Sequence, residues 1–139
     1  MTSSLYIKSY LAEDDNFFGC FAKDKLPIFP KSLIIDIDDS SKPGDHWVAL
    51  VLFKTKGFYF DSISLPIVDL SILRFLKPYK KVTYSSTCIP DVASSNQCRQ
   101  FCIAFIKNVR SKISYHKFVS MFNEVNLKYN DYIVNISLK

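Results

Sequence analysis

The sequence predicts an α+β fold, a small mixed sheet packed on a central helix that carries a cysteine at its N-terminus. Three observations predict it. Residues 46–53, His-Trp-Val-Ala-Leu-Val-Leu-Phe, are nearly all apolar, the pattern of a strand covered on both faces. The tight connection Lys54-Thr55-Lys56-Gly57 then returns the chain through Phe58-Tyr59-Phe60-Asp61, so these segments read as a hairpin. From Cys98 the period changes: Cys98, Cys102, Phe105, Ile106 and Val109 fall at i, i+4, i+7, i+8 and i+11, one face of an α-helix.

The other elements follow in chain order. Residues 3–11 read as a short helix with Leu5, Tyr6 and Leu11 near one apolar face, stopped by Asp14, Asp15 and Asn16. Ser32-Leu33-Ile34-Ile35-Asp36-Ile37 is a strand, and residues 38–44 form a polar turn. Residues 69–76 form a short helix that ends before Pro78. Residues 81–84 are a further short strand. Ser94, Ser95 and Asn96 offer capping oxygens just before the Cys98 helix. Residues 115–122 predict a last helix that packs Phe118, Val119 and Phe122.

Composition narrows the class. With 139 residues, 48% hydrophobic and 22% charged, the chain suits a single domain over 1–139 with one core. No apolar run reaches the roughly 18 residues of a membrane helix. The N-terminal residues lack the basic start and apolar block of a signal peptide. A soluble, unsecreted protein with reduced thiols is expected. None of the four cysteines, Cys20, Cys88, Cys98 and Cys102, forms a Cys-x-x-Cys pair, and with only two histidines the set makes a poor zinc site. No metal is expected. The net charge of +5 is uneven: residues 1–69 balance to −3 and residues 70–139 to +8. A basic face of that kind attracts nucleic acid or an acidic partner; a solvated surface with no partner accounts for it equally well.

A set of three residues carries chemistry. A thiol nucleophile needs its thiolate, which an imidazole and a helix N-terminus both favour. Cys98 opens the predicted helix, where backbone N–H groups also suit an oxyanion. His46 opens the predicted strand and Asp61 ends its hairpin partner, so both emerge at one sheet edge. There the carboxylate would fix the imidazole tautomer and stabilise the imidazolium. Each residue alone has a plainer reading: a hydrogen-bonding histidine, a turn-capping aspartate, a core cysteine. His116, the other histidine, lies in a polar helical stretch and reads as a surface residue.

The blocks around these residues resemble a family. Gly44-Asp45-His46-Trp47-Val48-Ala49-Leu50, Phe58-Tyr59-Phe60-Asp61-Ser62 and Cys98-Arg99-Gln100-Phe101-Cys102 look like the motifs of the adenovirus endopeptidase (adenain) family of viral cysteine proteases. There His-Trp is followed by a hairpin, an acidic residue and Cys-Gly-x-Phe-Cys on the central helix. Phe18-Gly19-Cys20-Phe21-Ala22-Lys23-Asp24-Lys25-Leu26-Pro27 is similar to the family's N-terminal signature. The resemblance runs from about Asn16 to Phe105, and its order of His, acid, Cys differs from papain's.

The resemblance implies a papain-like fold and a thiol protease of virion maturation. Such an enzyme cleaves precursor structural proteins near glycine with a Cys98, His46 and Asp61 triad. It implies polypeptide substrates, no cofactor for the chemistry itself, and an activator, either DNA or a peptide. DNA would meet the basic C-terminal half. It further implies a monomer located in the virion and in the host nucleus or cytoplasm, with no membrane attachment. No cysteine here matches the one that bonds the adenoviral activating peptide. By the same resemblance Gly44, Trp47 and Arg99 line the substrate cleft, and Cys98, Asp91 and Gln97 surround the oxyanion position. Two departures stand out. Arg99 replaces the glycine after the nucleophile, where a long cation narrows the cleft or adds a substrate contact. Asp91 occupies the place of the oxyanion-hole glutamine, and an ionised carboxylate there would cost about 3 kcal/mol or more. Two other readings stay open: a catalytically impaired virion or DNA-binding protein on the same scaffold, and a ubiquitin-like-modifier isopeptidase.

Overall fold

The computed structural model describes residues 3–14, 17–27, 32–37, 46–62, 66–67, 69–84, 98–122, 130, 133–134 and 138. These form α1 (Ser3–Leu11), β1 (Phe17–Ala22), β2 (Ser32–Asp36), β3 (Trp47–Leu52), β4 (Lys56–Phe60), α2 (Leu70–Leu76), β5 (Lys81–Tyr84), α3 (Cys98–Asn108) and α4 (Lys112–Ser120). The five strands make one mixed sheet in the order β1-β2-β3-β4-β5. Its outer pairs, β1 with β2 and β4 with β5, are parallel, whereas β3 runs antiparallel to both neighbours.

Strand β3 is buried along its whole length, and alternation along it divides the core in two. Trp47, Ala49 and Val51 face α1, α3 and α4 together with Ile34, Phe58 and Phe60. Val48, Leu50 and Leu52 face α2 with Leu33, Ile35, Tyr59, Ile72 and Leu76. The helical side is the larger. It is filled by aromatic rings: Phe105 stacks on Phe60 at 4.8 Å between centroids and meets Phe118 edge-on at 5.7 Å. At the hairpin Gly57 pairs with Leu52. A Cβ on Gly57 would stand 2.8 Å from Leu52 Cδ2, so the glycine lets that side chain lie over the returning strand.

Local chemistry sets the helix ends. Asp69 Oδ1 accepts from the backbone N–H groups of Ser71 and Ile72 at 2.9 and 3.3 Å, which starts α2 at Leu70. The last helix begins three residues earlier than the expected 115. Ser111 and Ser114 cap each other reciprocally, with Ser114 N–H to Ser111 Oγ at 3.2 Å and Ser111 N–H to Ser114 Oγ at 2.8 Å. This polar capping box has no apolar periodicity to announce it.

Strand β1 is the element the sequence does not predict. All but one of its residues are half-buried, so no alternation marks it. Its pairing with β2 is irregular between Phe17 and Gly19, where Gly19 takes φ +148°, a conformation that favours glycine. The expected turn over 38–44 and the caps at Ser94, Ser95 and Asn96 lie outside the described residues. Among those described, no helix is long and apolar enough to cross a membrane.

The Phe60–Phe105–Phe118 cluster joins sheet to helices, so Phe105→Ala is expected to destabilise the protein by about 3–5 kcal/mol. Urea denaturation checks this; a loss below about 1 kcal/mol would show that the site collapses around the missing ring.

Candidate active site

The β3–β4 register carries two of the three predicted residues to one end of the sheet. Ala49 faces Phe60, so His46, just before β3, and Asp61, just after β4, leave the ladder side by side. Ile37 N–H donates to the His46 carbonyl at 3.0 Å, tying the histidine backbone to the chain leaving β2. Asp61 is 3% exposed, and its Oδ1 lies 2.8 Å from His46 Nε2. A buried carboxylate at that distance holds the proton on Nε2 and leaves Nδ1 as the basic nitrogen.

Helix α3 delivers the third residue. Cys98 is its first residue and is half-buried. One turn further on, the buried Cys102 thiol donates to the Trp47 carbonyl at 3.2 Å, so the helix is anchored on the residue next to His46. The His46 ring hydrogen-bonds both Asp61 and Cys98. Burial alone would lower the basicity of the imidazole, but hydrogen bonds to Asp61 and Cys98, and attraction to their charges, outweigh it and push the pKa up to about 10. The imidazolium therefore persists at neutral pH beside the Cys98 sulfur, the arrangement a thiolate needs. At the other described thiols, burial pushes Cys20 up to about 12 and raises Cys102 well above its ordinary value.

Three further expectations fall outside the described residues: Gly44 in the cleft, and Asp91 and Gln97 at the oxyanion position. Trp47 is 6% exposed and packs in the core between sheet and helices. Its indole is a structural wedge, and its carbonyl holds Cys102. Arg99, expected in the cleft, lies with its guanidinium over the Tyr6 ring of α1, 4.4 Å from the centroid. Tyr6 carries no motif signal, and its contact with Arg99 joins distant parts of the chain. Cys102 did carry a signal, the i, i+4 spacing from Cys98, which reads only as core packing until its thiol meets a carbonyl.

The structure is similar to the crystal structure of the ASFV pS273R protease, with a TM-score of 0.53 and 14% sequence identity. The chain has a papain-like protease fold. The match covers 92% of this chain and 63% of that one, so this chain spans less than two thirds of that protein's length. No family model matches the sequence, and no curated protein matches it.

The raised His46 value links site to stability. The folded state holds this proton more tightly than the unfolded chain, whose imidazole titrates at 6.5. The stabilisation is therefore complete below that pH and is lost as pH rises through about 10. The difference in unfolding free energy between the wild type and His46→Gln is expected to be largest in mild acid and to shrink steadily on the alkaline side. A difference that grows with pH in a urea series would rule out the imidazolium.

Proposed function

We propose that this protein is a cysteine endopeptidase in which Cys98 is the nucleophile, His46 the acid and base, and Asp61 the orienting carboxylate. One observation carries the reading: a single imidazole hydrogen-bonded both to a buried carboxylate and to the cysteine that opens α3. The chemistry follows from that chain of contacts. The thiolate attacks a peptide carbonyl carbon, and the oxyanion forms at the start of α3, where backbone N–H groups lack intrahelical acceptors. The His46 imidazolium gives its proton to the departing amine, leaving an acyl thioester and a neutral imidazole. That imidazole then takes a proton from water, the hydroxide attacks the thioester, and the acid product leaves with the thiolate–imidazolium pair restored. The adenain resemblance supplies the substrate class, precursor structural proteins of a virus cut near glycine.

The test is direct. Iodoacetamide should label Cys98 rapidly at neutral pH while Cys20 and Cys102 stay protected in the folded protein. Cys98→Ala should abolish hydrolysis of glycine-containing peptides, and Asp61→Ala should lower kcat/KM by about 10²-fold or more. Hydrolysis should fall as pH passes about 10, because the leaving amine then loses its proton donor. Equal labelling of all thiols, or hydrolysis surviving in Cys98→Ala, would refute the reading.

A nucleic-acid partner is a second reading, favoured by a separate feature. Lys54 and Lys56 on the β3–β4 turn and Lys77, Lys80 and Lys81 before and in β5 are all exposed. Lys56 and Lys81 are direct neighbours across the parallel β4–β5 pair, and Lys80 N–H donates to the Thr55 carbonyl at 2.8 Å. Like charges set in register repel one another, and a phosphate backbone relieves that repulsion. The cluster lies at the end of the sheet opposite His46, so a bound duplex leaves the cleft open. Duplex DNA should bind more weakly as salt rises, and K56E combined with K81E should flatten the salt dependence by about 2 in log–log slope. An unchanged slope would dismiss this surface.

A further inference from the structure

The face of α1 turned to α3 presents Tyr6 and Tyr10, and Asp14 follows at the same four-residue spacing. Each meets a cation from α3 or the residues just after it. Arg99 lies over the Tyr6 ring at 4.4 Å and Lys107 over the Tyr10 ring at 5.5 Å. Arg110 pairs with Asp14 at 2.7 Å. The two tyrosine rings pack at 5.1 Å from each other, and Gln100 hydrogen-bonds the Tyr6 hydroxyl. Beneath this row Ile7 and Leu11 are buried in the core. The row therefore fastens α3 along its length, and its first member adjoins Cys98 in sequence.

That position matters because the first turn of a helix has no preceding turn to hold it. Cys98 is tied from one side by the Cys102–Trp47 contact one turn on. A small rotation of the opening turn would still swing its sulfur relative to the His46 ring. We propose that Arg99 is a positioning residue for Cys98: stacked on Tyr6, it fastens the nucleophile's own turn of α3 to α1. The proposal rests on the peptidase reading above. It makes docking of α1 a condition for reactivity, and it gives Arg99 a role that needs no contact with substrate.

Variants of the two partners test it, with Cys102 as an internal gauge of folding. Arg99→Met keeps the aliphatic stem and removes the cation, and Tyr6→Leu removes the ring. Both should slow Cys98 alkylation and lower kcat by about tenfold or more while KM holds, since small misplacements of reacting groups are costly. Cys102 should stay unlabelled in both. Tyr6→Phe loses the hydroxyl bonds but keeps the ring, and should retain the wild-type rate. If Tyr6→Leu exposes Cys102, Arg99→Met and Tyr6→Phe decide the matter. Wild-type rates in Arg99→Met, or a Tyr6→Phe as slow as Arg99→Met, would overturn the positioning role while leaving the peptidase intact. Slow labelling of Cys98 in the wild type itself would overturn the peptidase, and the positioning role with it.

Discussion

The seating of α3 across β3 governs both the fold and the site, and a single polar contact fixes its register. The Cys102 thiol is buried without exposure and donates to the carbonyl of Trp47. That carbonyl belongs to the first residue of the central strand, and His46 precedes it. The same helix places Cys98 one turn above. A slide of α3 along the sheet would break the sulfur–carbonyl contact and separate Cys98 from His46 together. The aromatic stack of Phe105 on Phe60 works against the same slide, because Phe60 adjoins Asp61. Core packing and site geometry are thus one constraint, expressed at adjoining residues on β3 and β4 and at successive turns of α3.

Electrostatics then binds these residues together at some cost to the fold. A carboxylate as buried as Asp61 is expensive to desolvate unless it is paired. His46 is its partner, and the imidazolium in turn faces Cys98. In the proposed mechanism the three groups act as a trio, in which carboxylate, imidazolium and thiolate would alternate in sign. Removing the middle member leaves two negative groups without their shared counter-charge. Elsewhere burial keeps the half-buried Cys20 and the buried Cys102 protonated, and the Lys8 charge near Cys20 does not outweigh it.

Much of this was legible in the sequence because it depends on local periodicity and strand-end position. The all-apolar run after His46 marks a central strand, the Lys54–Gly57 turn marks a hairpin, and together they bring His46 and Asp61 to one edge. The stripe from Cys98 to Val109 marks the helix. What escaped has a physical reason in each case. Edge strand β1 is half-buried at all but one residue and irregular at Gly19, so it has no alternation to read. The resemblance makes Trp47 a cleft residue, yet its side chain packs with Ala49 and Val51 in the core. The direction of Arg99 depends on where α1 docks, which no spacing within the helix encodes.

Arg99 also sits where helix electrostatics disfavours it. The N-terminus of an α-helix carries partial positive charge, so a cation at the second residue of α3 is worth about 0.3–1 kcal/mol in the unfavourable sense. The Tyr6 ring face offsets this, because its quadrupole attracts a guanidinium at this separation. The outcome is a positive charge seated on an aromatic face one residue after Cys98. A glycine there would leave the opening turn of α3 without that tie to α1. The hold of Arg99 on Tyr6 and the hold of Cys102 on Trp47 act on successive turns of α3 from different directions, and together they restrict the sulfur to the side of the helix that His46 occupies.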